Sequence, residues 1–165
     1  MPNDQKLFEL SAQVGSFLQT RDQFLVTAES CTGGWIGKVL TDVPGSSAWY
    51  RGGVVAYSDA TKRDVLRVSA EILGLHGAVS DAAAQAMAVG ALEVLGGDIA
   101  VAVTGIAGPA GAVPGKPVGT VWFAWAWRNG QAVRSLARLK IFDGDREEIR
   151  RRTVVMALNG ILEIR

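Results

Sequence analysis

The feature that most constrains the fold is an alternation along the chain between short apolar runs and longer segments with helical periodicity. Residues 99–104 (IAVAVT) form the clearest apolar run, and residues 24–28 (FLVTA) form another. In residues 4–19, by contrast, apolar side chains recur every three or four positions. Short, continuously apolar runs are typical of strands buried on both faces, which occur where helices cover a sheet. The alternation therefore predicts an α/β fold.

Further segments extend this pattern. We predict additional strands at 53–57, 118–127 and 132–142, and additional helices at 35–40, from Ser58 or Asp59 to 66, from Ser80 or Asp81 to about 95, and at 146–162. An Asn-Gly pair between the last two strands is a typical hairpin turn. With 165 residues, 48% of them apolar, the chain fits one domain over residues 1–165. The prediction is a three-layer, sandwich-like domain with a mixed sheet flanked by helices.

Composition excludes several classes of function. The 17 basic and 16 acidic residues leave no basic excess, so we expect no nucleic-acid partner. One cysteine and one histidine cannot form an internal disulfide or a common zinc site, and we expect no metal and no cofactor. The longest uncharged stretch, 99–115, is interrupted by Gly and Pro and is a poor membrane span. With no signal peptide at the start, these features favour the cytoplasm.

The segment ESCTGG, between the first predicted strand and the next helix, is the first candidate site. Ligands of α/β folds bind at the carboxyl ends of strands, where Ser30 or Cys31 could act as a nucleophile. The N–H groups around Thr32, Gly33 and Gly34 could stabilise an anion or oxyanion at the helix start. The alternative is a plain helix N-cap. The glycine pattern matches neither a Walker loop nor a dinucleotide fingerprint.

A serine nucleophile needs a base, and the second candidate site offers one. Tyr57 ends a predicted strand, and Lys62 lies about one turn into the helix that follows. The only histidine, His76, lies in a glycine-rich loop that places it poorly for this task. A lysine serves as a base when burial lowers its pKa. The alternative for each residue is a structural role, with Lys62 in solvent and Tyr57 half-buried.

Two later segments could bind an anion. Thr104 and Gly105 begin a long Gly/Pro loop that can present N–H groups and a hydroxyl to a phosphate or carbonyl. Arg146 lies in the first turn of the last helix, where a cation opposes the helix dipole. Either a bound anion or the neighbouring acids must compensate it. We predict that the arginines at 150–152 form a solvated helix face, with Ile149 turned inward.

Taken together, the motifs are more specific than any one of them alone. They occur in a fixed order over about residues 6–162: AESCTGG, RGGVVAYS, GAVS, AVTGIAGP, KPVGTV and GDR. In this the chain resembles the CinA C-terminal domain family, the nicotinamide-nucleotide amidases. Because the first predicted helix begins near residue 4, it resembles the stand-alone form rather than the form fused behind a molybdopterin-binding-like domain.

The resemblance implies an activity and assigns residues to it. The implied reaction is deamidation of nicotinamide mononucleotide to nicotinic acid mononucleotide and ammonia, in pyridine-nucleotide recycling, with no metal. The family's catalytic serine falls on Ser30, and its functional tyrosine and lysine fall on Tyr57 and Lys62. Its Thr-Gly pair falls on Thr104 and Gly105, and its arginine falls on Arg146, the group expected to hold the 5′-phosphate. The partner implied is therefore a small-molecule nucleotide.

Two segments depart from the family pattern. Residues 59–61 read DAT where the family commonly has NEA, and residues 110–113 read AGAV where it is richer in glycine. These departures leave two alternatives open: a nucleotide-binding or regulatory module without turnover, and an amidase for another phosphorylated amide. The family's members are usually oligomers, so we also expect a homo-oligomer. The apolar hairpin with Trp122, Trp125 and Trp127 could supply its interface.

Overall fold

The computed structural model describes residues 2–164 and confirms the α/β fold. Its five strands are β1 (Leu25–Glu29), β2 (Tyr50–Val55), β3 (Ile99–Gly105), β4 (Thr120–Asn129) and β5 (Ala132–Ile141). Its α-helices are α1 (Asp4–Gln19), α2 (Trp35–Thr41), α3 (Asp59–Asp64), α4 (Ala70–His76), α5 (Asp81–Leu95) and α6 (Arg146–Leu162), and a 3₁₀ turn covers Ser46–Ala48.

The five strands form a mixed sheet in the order β2-β1-β3-β4-β5. Strand β1 runs parallel to both β2 and β3, whereas β3, β4 and β5 are successively antiparallel. The carboxyl ends of β1, β2 and β3 therefore meet at one edge of the sheet. Ser30, Tyr57 and Thr104 lie at this edge, because each stands at or just beyond the carboxyl end of one of these strands.

Helices cover both faces of the sheet, which confirms the three layers. On one face, Val101, Val103 and Phe123 belong to a cluster of large buried side chains that α1, α2 and α6 complete. On the other face, Ala100 and Ala102 pack under the alanine-rich α5. The small residues let this single helix lie close to the sheet, and α5 contacts all five strands.

Several predicted boundaries need correction. Strand β2 begins at Tyr50, three residues earlier than predicted. The early part of β2 was missed because glycine is uncommon in strands. At Gly53 the glycine is required by packing, because a Cβ there would lie 2.0 Å from Thr27 Oγ1 on β1. Helix α4 was not predicted, and His76 ends that helix rather than lying in a loop. The predicted bounds of α1 and α6 are confirmed.

The tryptophans of the hairpin lie as the strand alternation predicts. Trp125 and Trp127 pack on the face with the large side chains, and Trp122 packs on the alanine face. Trp125 is buried, and its indole N–H donates to Ala157 O in α6 at 3.0 Å. Trp125 is therefore a core residue rather than an interface residue. The homo-oligomer stays a prediction.

Candidate active site

Ser30 follows β1 directly and is almost buried at the carboxyl edge of the sheet. Its N–H donates to Val103 O at 3.0 Å, so the backbone stays paired with β3 one residue beyond the strand. A turn then reverses the chain into α2, closed by the Gly33 N–H donating to Ser30 O at 3.1 Å. Gly33 and Gly34 both have positive φ, at 62° and 95°, a conformation that favours glycine in this turn.

Glu29, the residue before Ser30, stabilises this turn through hydrogen bonds to its buried carboxylate. Its buried carboxylate accepts four hydrogen bonds, from the Thr32 hydroxyl at 2.6 Å and from the N–H groups of Gly34, Ile36 and Gly37 at 2.8–3.1 Å. A carboxylate at a helix start satisfies free N–H groups and interacts favourably with the helix dipole. The protein's own side chain therefore occupies the anion position at the start of α2.

This arrangement gives no support to the substrate-binding role predicted for Thr32, Gly33 and Gly34. The hydroxyl of Thr32 and the N–H of Gly34 are bonded to Glu29, and the N–H of Gly33 is bonded to Ser30 O. None of the three residues lines the cleft beside Ser30. All three residues belong to the turn that carries the serine, and their substrate-binding role stays a prediction.

Lys62 contacts Ser30 directly. Ser58 caps α3 by accepting from the Thr61 N–H, and this starts the helix so that Lys62 points back beneath the edge of the sheet. The Lys62 side chain is buried, and its Nζ lies 3.1 Å from Ser30 Oγ. The same Nζ donates to Ala56 O at 2.9 Å and to Tyr57 O at 3.3 Å. The predicted solvent-exposed alternative for Lys62 is therefore wrong.

The environment of Lys62 shifts its protonation equilibrium towards the neutral amine. Within residues 2–164 no acidic side chain forms an ion pair with it. Burial lowers the pKa of Lys62 below the ordinary lysine value, and the negative charge of Asp59 partly opposes that shift. In the neutral form, two N–H groups still reach the carbonyls of Ala56 and Tyr57. The remaining position, the lone pair, then faces Ser30 Oγ and can accept the hydroxyl proton.

Cys31 is the other candidate nucleophile, but its thiol is held in the protonated, weakly nucleophilic form. Burial raises the pKa of Cys31 to about 12, so the thiol stays protonated near neutral pH. No lysine or histidine side chain forms a hydrogen bond with its sulfur among the described residues. The geometry therefore favours Ser30, which has a base within hydrogen-bond distance.

Tyr57 and Arg146 lie together at the mouth of the cleft. Arg146 donates to Gly108 O at 2.7 Å and to the Tyr57 hydroxyl at 3.2 Å. Tyr57 is exposed, and the Lys62 amine touches its backbone carbonyl, not its hydroxyl. Arg146 forms no ion pair in the described part of the chain. Two neighbouring acidic residues that could neutralise the charge of Arg146 are bonded elsewhere, because Asp145 caps α6 and Glu147 pairs with Arg151.

Thr104 and Gly105 complete the cleft from the end of β3. The Thr104 hydroxyl donates to Ala78 O at 2.8 Å, which leaves its oxygen lone pairs as acceptors. Gly105 is required by packing, since a Cβ there would lie 2.6 Å from Thr120 O. The resulting cleft has a volume of about 210 Å³, and both residues line it with Ser30, Lys62, Tyr57, Arg146, Cys31, Asp59, Ala78, Val79 and Ala107.

Sequence reasoning missed two residues that shape this site. One is Glu29, whose signal was a charged residue at the end of a buried run. The other is Arg150, which was predicted to lie on a solvated face. Its guanidinium instead donates to Cys31 O at 3.1 Å and Thr32 O at 2.8 Å, and lies over the Trp35 ring. The sequence feature that could have indicated this role of Arg150 is its four-residue spacing from Arg146, which puts both arginines on one face of α6.

The rest of the predicted arginine run is also anchored. Arg151 pairs with Asp4 and Glu147, and Arg152 donates to Asp143 O at 3.0 Å. Ile149 is buried, as predicted.

The described residues contain no group of three or more His, Cys, Asp or Glu side chains placed to hold a metal ion. None of the helices in residues 2–164 is both long and apolar enough to cross a membrane.

The mixed sheet and the serine–lysine contact define a class: α/β proteins that carry a candidate nucleophilic serine at a strand end, beside a buried lysine. The sequence model described as the CinA C-terminal domain matches residues 7–164. The chain belongs to the CinA C-terminal domain family.

Similar proteins agree with this membership. The chain is 48% identical over 158 residues to the nicotinamide-nucleotide amidohydrolase PncC of Escherichia coli K12, covering 96% of this chain and 94% of that one. It is 47% identical over 155 residues to the protein of the same name from Pseudomonas putida, covering 94% of each. A crystal structure of competence damage-inducible protein A from Klebsiella pneumoniae superposes with a TM-score of 0.90 at 44% identity, covering 95% of each chain.

Proposed function

We propose that this chain is a serine amidohydrolase that deamidates nicotinamide mononucleotide to nicotinic acid mononucleotide and ammonia. The observation that carries the proposal is the contact between Ser30 Oγ and the amine of Lys62, which is buried and forms no ion pair with an acidic side chain of the described residues. Relatives with 47–48% identity are named nicotinamide-nucleotide amidohydrolase, which supports the same reaction and substrate class. A role in pyridine-nucleotide recycling follows from the products and belongs to the same proposal.

The chemistry divides into acylation and deacylation. In acylation, neutral Lys62 takes the Ser30 proton while Ser30 Oγ bonds to the carboxamide carbon and the carbonyl oxygen becomes an oxyanion. As the oxyanion collapses, the C–N bond breaks and Lys62 returns the proton to the leaving nitrogen, which departs as ammonia. In deacylation, Lys62 takes a proton from water as the water oxygen bonds to the ester carbon. The bond between that carbon and Ser30 Oγ then breaks, and Lys62 returns the proton to Ser30 Oγ, which restores the free enzyme.

Lys62 performs this proton transfer directly. The alternative route through Tyr57 finds no support in the geometry, because the Tyr57 hydroxyl bonds to Arg146 and not to Ser30 or Lys62. Tyr57 instead orients the guanidinium of Arg146. An arginine without an acidic partner at the mouth of a cleft is suited to a phosphate, which it binds with charge-assisted hydrogen bonds. We assign the 5′-phosphate to Arg146, with Thr104 and Gly105 beside it.

Ammonia release from nicotinamide mononucleotide, measured with a metal chelator present, tests the proposal. Purified wild-type protein should release ammonia and form the acid mononucleotide. Ser30→Ala should reduce kcat by a factor of about 10³ or more, since the residue that forms the covalent bond is lost. Mononucleotide binding without ammonia release would contradict the proposal and indicate a non-catalytic binding module.

A small substrate panel tests the nucleotide assignment. We expect nicotinamide riboside, which lacks the phosphate, to react with a KM raised about 10- to 100-fold, since a hydrogen bond to a charged group typically contributes about 1.5–3 kcal/mol. Arg146→Met should raise the KM for the mononucleotide but not for the riboside. If a different phosphorylated amide released ammonia faster than the mononucleotide, that amide would become the assigned substrate, and the serine mechanism would be unchanged.

A further inference from the structure

Asp59 is the one acidic side chain of residues 2–164 that lines the cleft. Within these residues its carboxylate forms no ion pair and accepts no hydrogen bond, and the cap of α3 is Ser58 rather than Asp59. Asp59 is exposed, and an exposed carboxylate carries a negative charge at neutral pH. The cleft therefore contains a negative charge that the chemistry of the serine and the lysine does not use.

Helix α3 places this charge close to the reacting atoms. Asp59 and Lys62 are three residues apart, a spacing that puts two side chains on the same face of a helix. The amine of Lys62 lies 3.1 Å from Ser30 Oγ. When Ser30 attacks a carboxamide, the ring that carries the carboxamide must lie in the same small cleft. That ring is then a neighbour of the Asp59 carboxylate.

The charges that line the cleft match those of the proposed substrate. Arg146, without an acidic partner in the described chain, is suited to the phosphate. The nicotinamide ring of the mononucleotide is an N-alkylated pyridinium, so it carries a positive charge. The other walls that could contact the ring include the apolar side chains of Ala78, Val79 and Ala107. Among the described lining residues, Asp59 alone has a charge opposite to that of the ring.

We propose that Asp59 is a specificity-determining residue that pairs with the positive charge of the pyridinium, so that the cleft selects an amide on a cationic ring over the same amide on a neutral ring. The proposal rests on the proposed function, from which it takes the ring and the phosphate. Residues 59–61 are one of the two segments that depart from the family pattern, and asparagine is common at the first of these positions. The charge of Asp59 is therefore a feature of this chain.

The oxidised and the reduced mononucleotide form a matched pair of ligands for the test. The reduced form keeps the carboxamide, the ribose and the phosphate, but its dihydropyridine ring is uncharged. Both are titrated calorimetrically, at one pH, into protein that carries Ser30→Ala, which should turn over neither. Adding Asp59→Asn should weaken binding of the oxidised form about 3- to 10-fold, as expected for one ion pair in a partly solvated cleft. The Kd of the reduced form should stay within about twofold.

Two further variants control for charge and for helix stability. Asp59→Glu keeps the negative charge and should keep the ratio of the two Kd values close to that of Ser30→Ala alone. Asp81 is also exposed, is also the first residue of a helix and also follows a capping serine, but it does not line the cleft. Asp81→Asn should leave both Kd values unchanged. An equal ratio in Asp59→Asn and Asp81→Asn would overturn the proposal.

The remaining outcomes separate this proposal from the proposed function. Equal weakening of both ligands in Asp59→Asn would overturn the role of Asp59 as a partner of the ring charge, because the two ligands differ in that charge. A ratio that depends on Asp59, in a protein whose wild type releases no ammonia, would support this role and contradict the amidase. Ammonia release with a ratio that does not depend on Asp59 would do the reverse. Failure of both ligands to bind would contradict both proposals.

Discussion

Two buried ionisable groups adjoin Ser30, Glu29 in the chain and Lys62 through a hydrogen bond, and their partners differ. Glu29, on the β1 side, accepts four hydrogen bonds that tie down the start of α2. Lys62, on the α3 side, forms no ion pair in the described chain and contacts a hydroxyl and two carbonyls. Both side chains are almost inaccessible to solvent. Burial is therefore common to both, and the difference lies in their partners.

The difference separates geometry from reactivity. A carboxylate that accepts four hydrogen bonds is held in one position, so Glu29 supplies a rigid turn for the nucleophile. A lysine without an acidic partner is pushed towards its neutral form, so Lys62 supplies a base. An ion pair between the two would stabilise each charge and remove the base. Among the described residues, no ion pair joins the two groups.

The largest effect should come from removing the base. We expect Lys62→Met to reduce kcat by a factor of about 10³ to 10⁴, at the upper end of what general-base catalysis contributes. Stability should suffer less than activity, since the apolar side chain is cheaper to bury than the amine. Steady-state ammonia release measures the first effect, and urea unfolding measures the second.

Lys116→Met is the matched control for that prediction. Lys116 is a lysine whose amine donates to a backbone carbonyl, His76 O at 3.2 Å, outside the cleft. Its substitution should leave kcat close to that of the wild type. If Lys62→Met retained comparable activity, Lys62 would not be the base.

The next effect should come from Glu29→Gln, and it should appear mainly in stability. An amide replaces one of the acceptor oxygens with an NH₂ group, which leaves buried N–H groups of α2 unpaired. We expect the free energy of unfolding to fall by about 2–4 kcal/mol, the cost of one or two unsatisfied buried donors to a charged group. Urea unfolding measures this change.

Glu163→Gln is the corresponding control. Glu163 forms an exposed ion pair with Arg138, and exposed pairs typically contribute about 0–1 kcal/mol. Equal losses in Glu29→Gln and Glu163→Gln would mean that the four-bond cluster around Glu29 adds no stability. In that case the contrast between the two buried groups would not hold.

The smallest effect should appear in the pH profile. The neutral amine of Lys62 is the active form, so kcat/KM should rise with pH through the pKa of Lys62, below the ordinary lysine value of 10.5. Asp59 raises the pKa of Lys62, and burial, the larger influence, lowers it. Asp59→Asn should therefore move the rise to lower pH. A displacement to higher pH, or none, would contradict this account of the lysine environment.

The sequence could predict the features of this site that depend on neighbours in the chain. Ser30 follows an apolar strand, and Lys62 follows a capping serine, so their positions after a strand end and in the first turn of a helix could be anticipated. The bounds of α6 were also predictable, because Asp145 caps it and accepts from the Glu148 N–H. The serine–lysine pairing, between residues 32 positions apart, was suggested by the need of a serine nucleophile for a base and by the resemblance to a family, but the direct contact required the fold.

The partners of Glu29 and Arg150 could not be predicted, for a physical reason. Whether a helix start binds a ligand or an internal carboxylate depends on where the preceding strand places its side chains, which is a tertiary property. Arg150 reaches residues almost 120 positions away, across the packing of α6 against the turn. Local periodicity predicts which face of a helix is buried, but it does not predict which carbonyls that face meets.

The most direct test of the central claim compares two single substitutions in adjacent residues, Ser30→Ala and Cys31→Ala. Ammonia release from nicotinamide mononucleotide is measured for both, with a chelator present and with folding checked by circular dichroism. We predict that Ser30→Ala loses turnover by a factor of about 10³ or more, whereas Cys31→Ala stays within about tenfold of the wild type. An active Ser30→Ala beside an inactive Cys31→Ala would contradict the account and make the thiol the nucleophile.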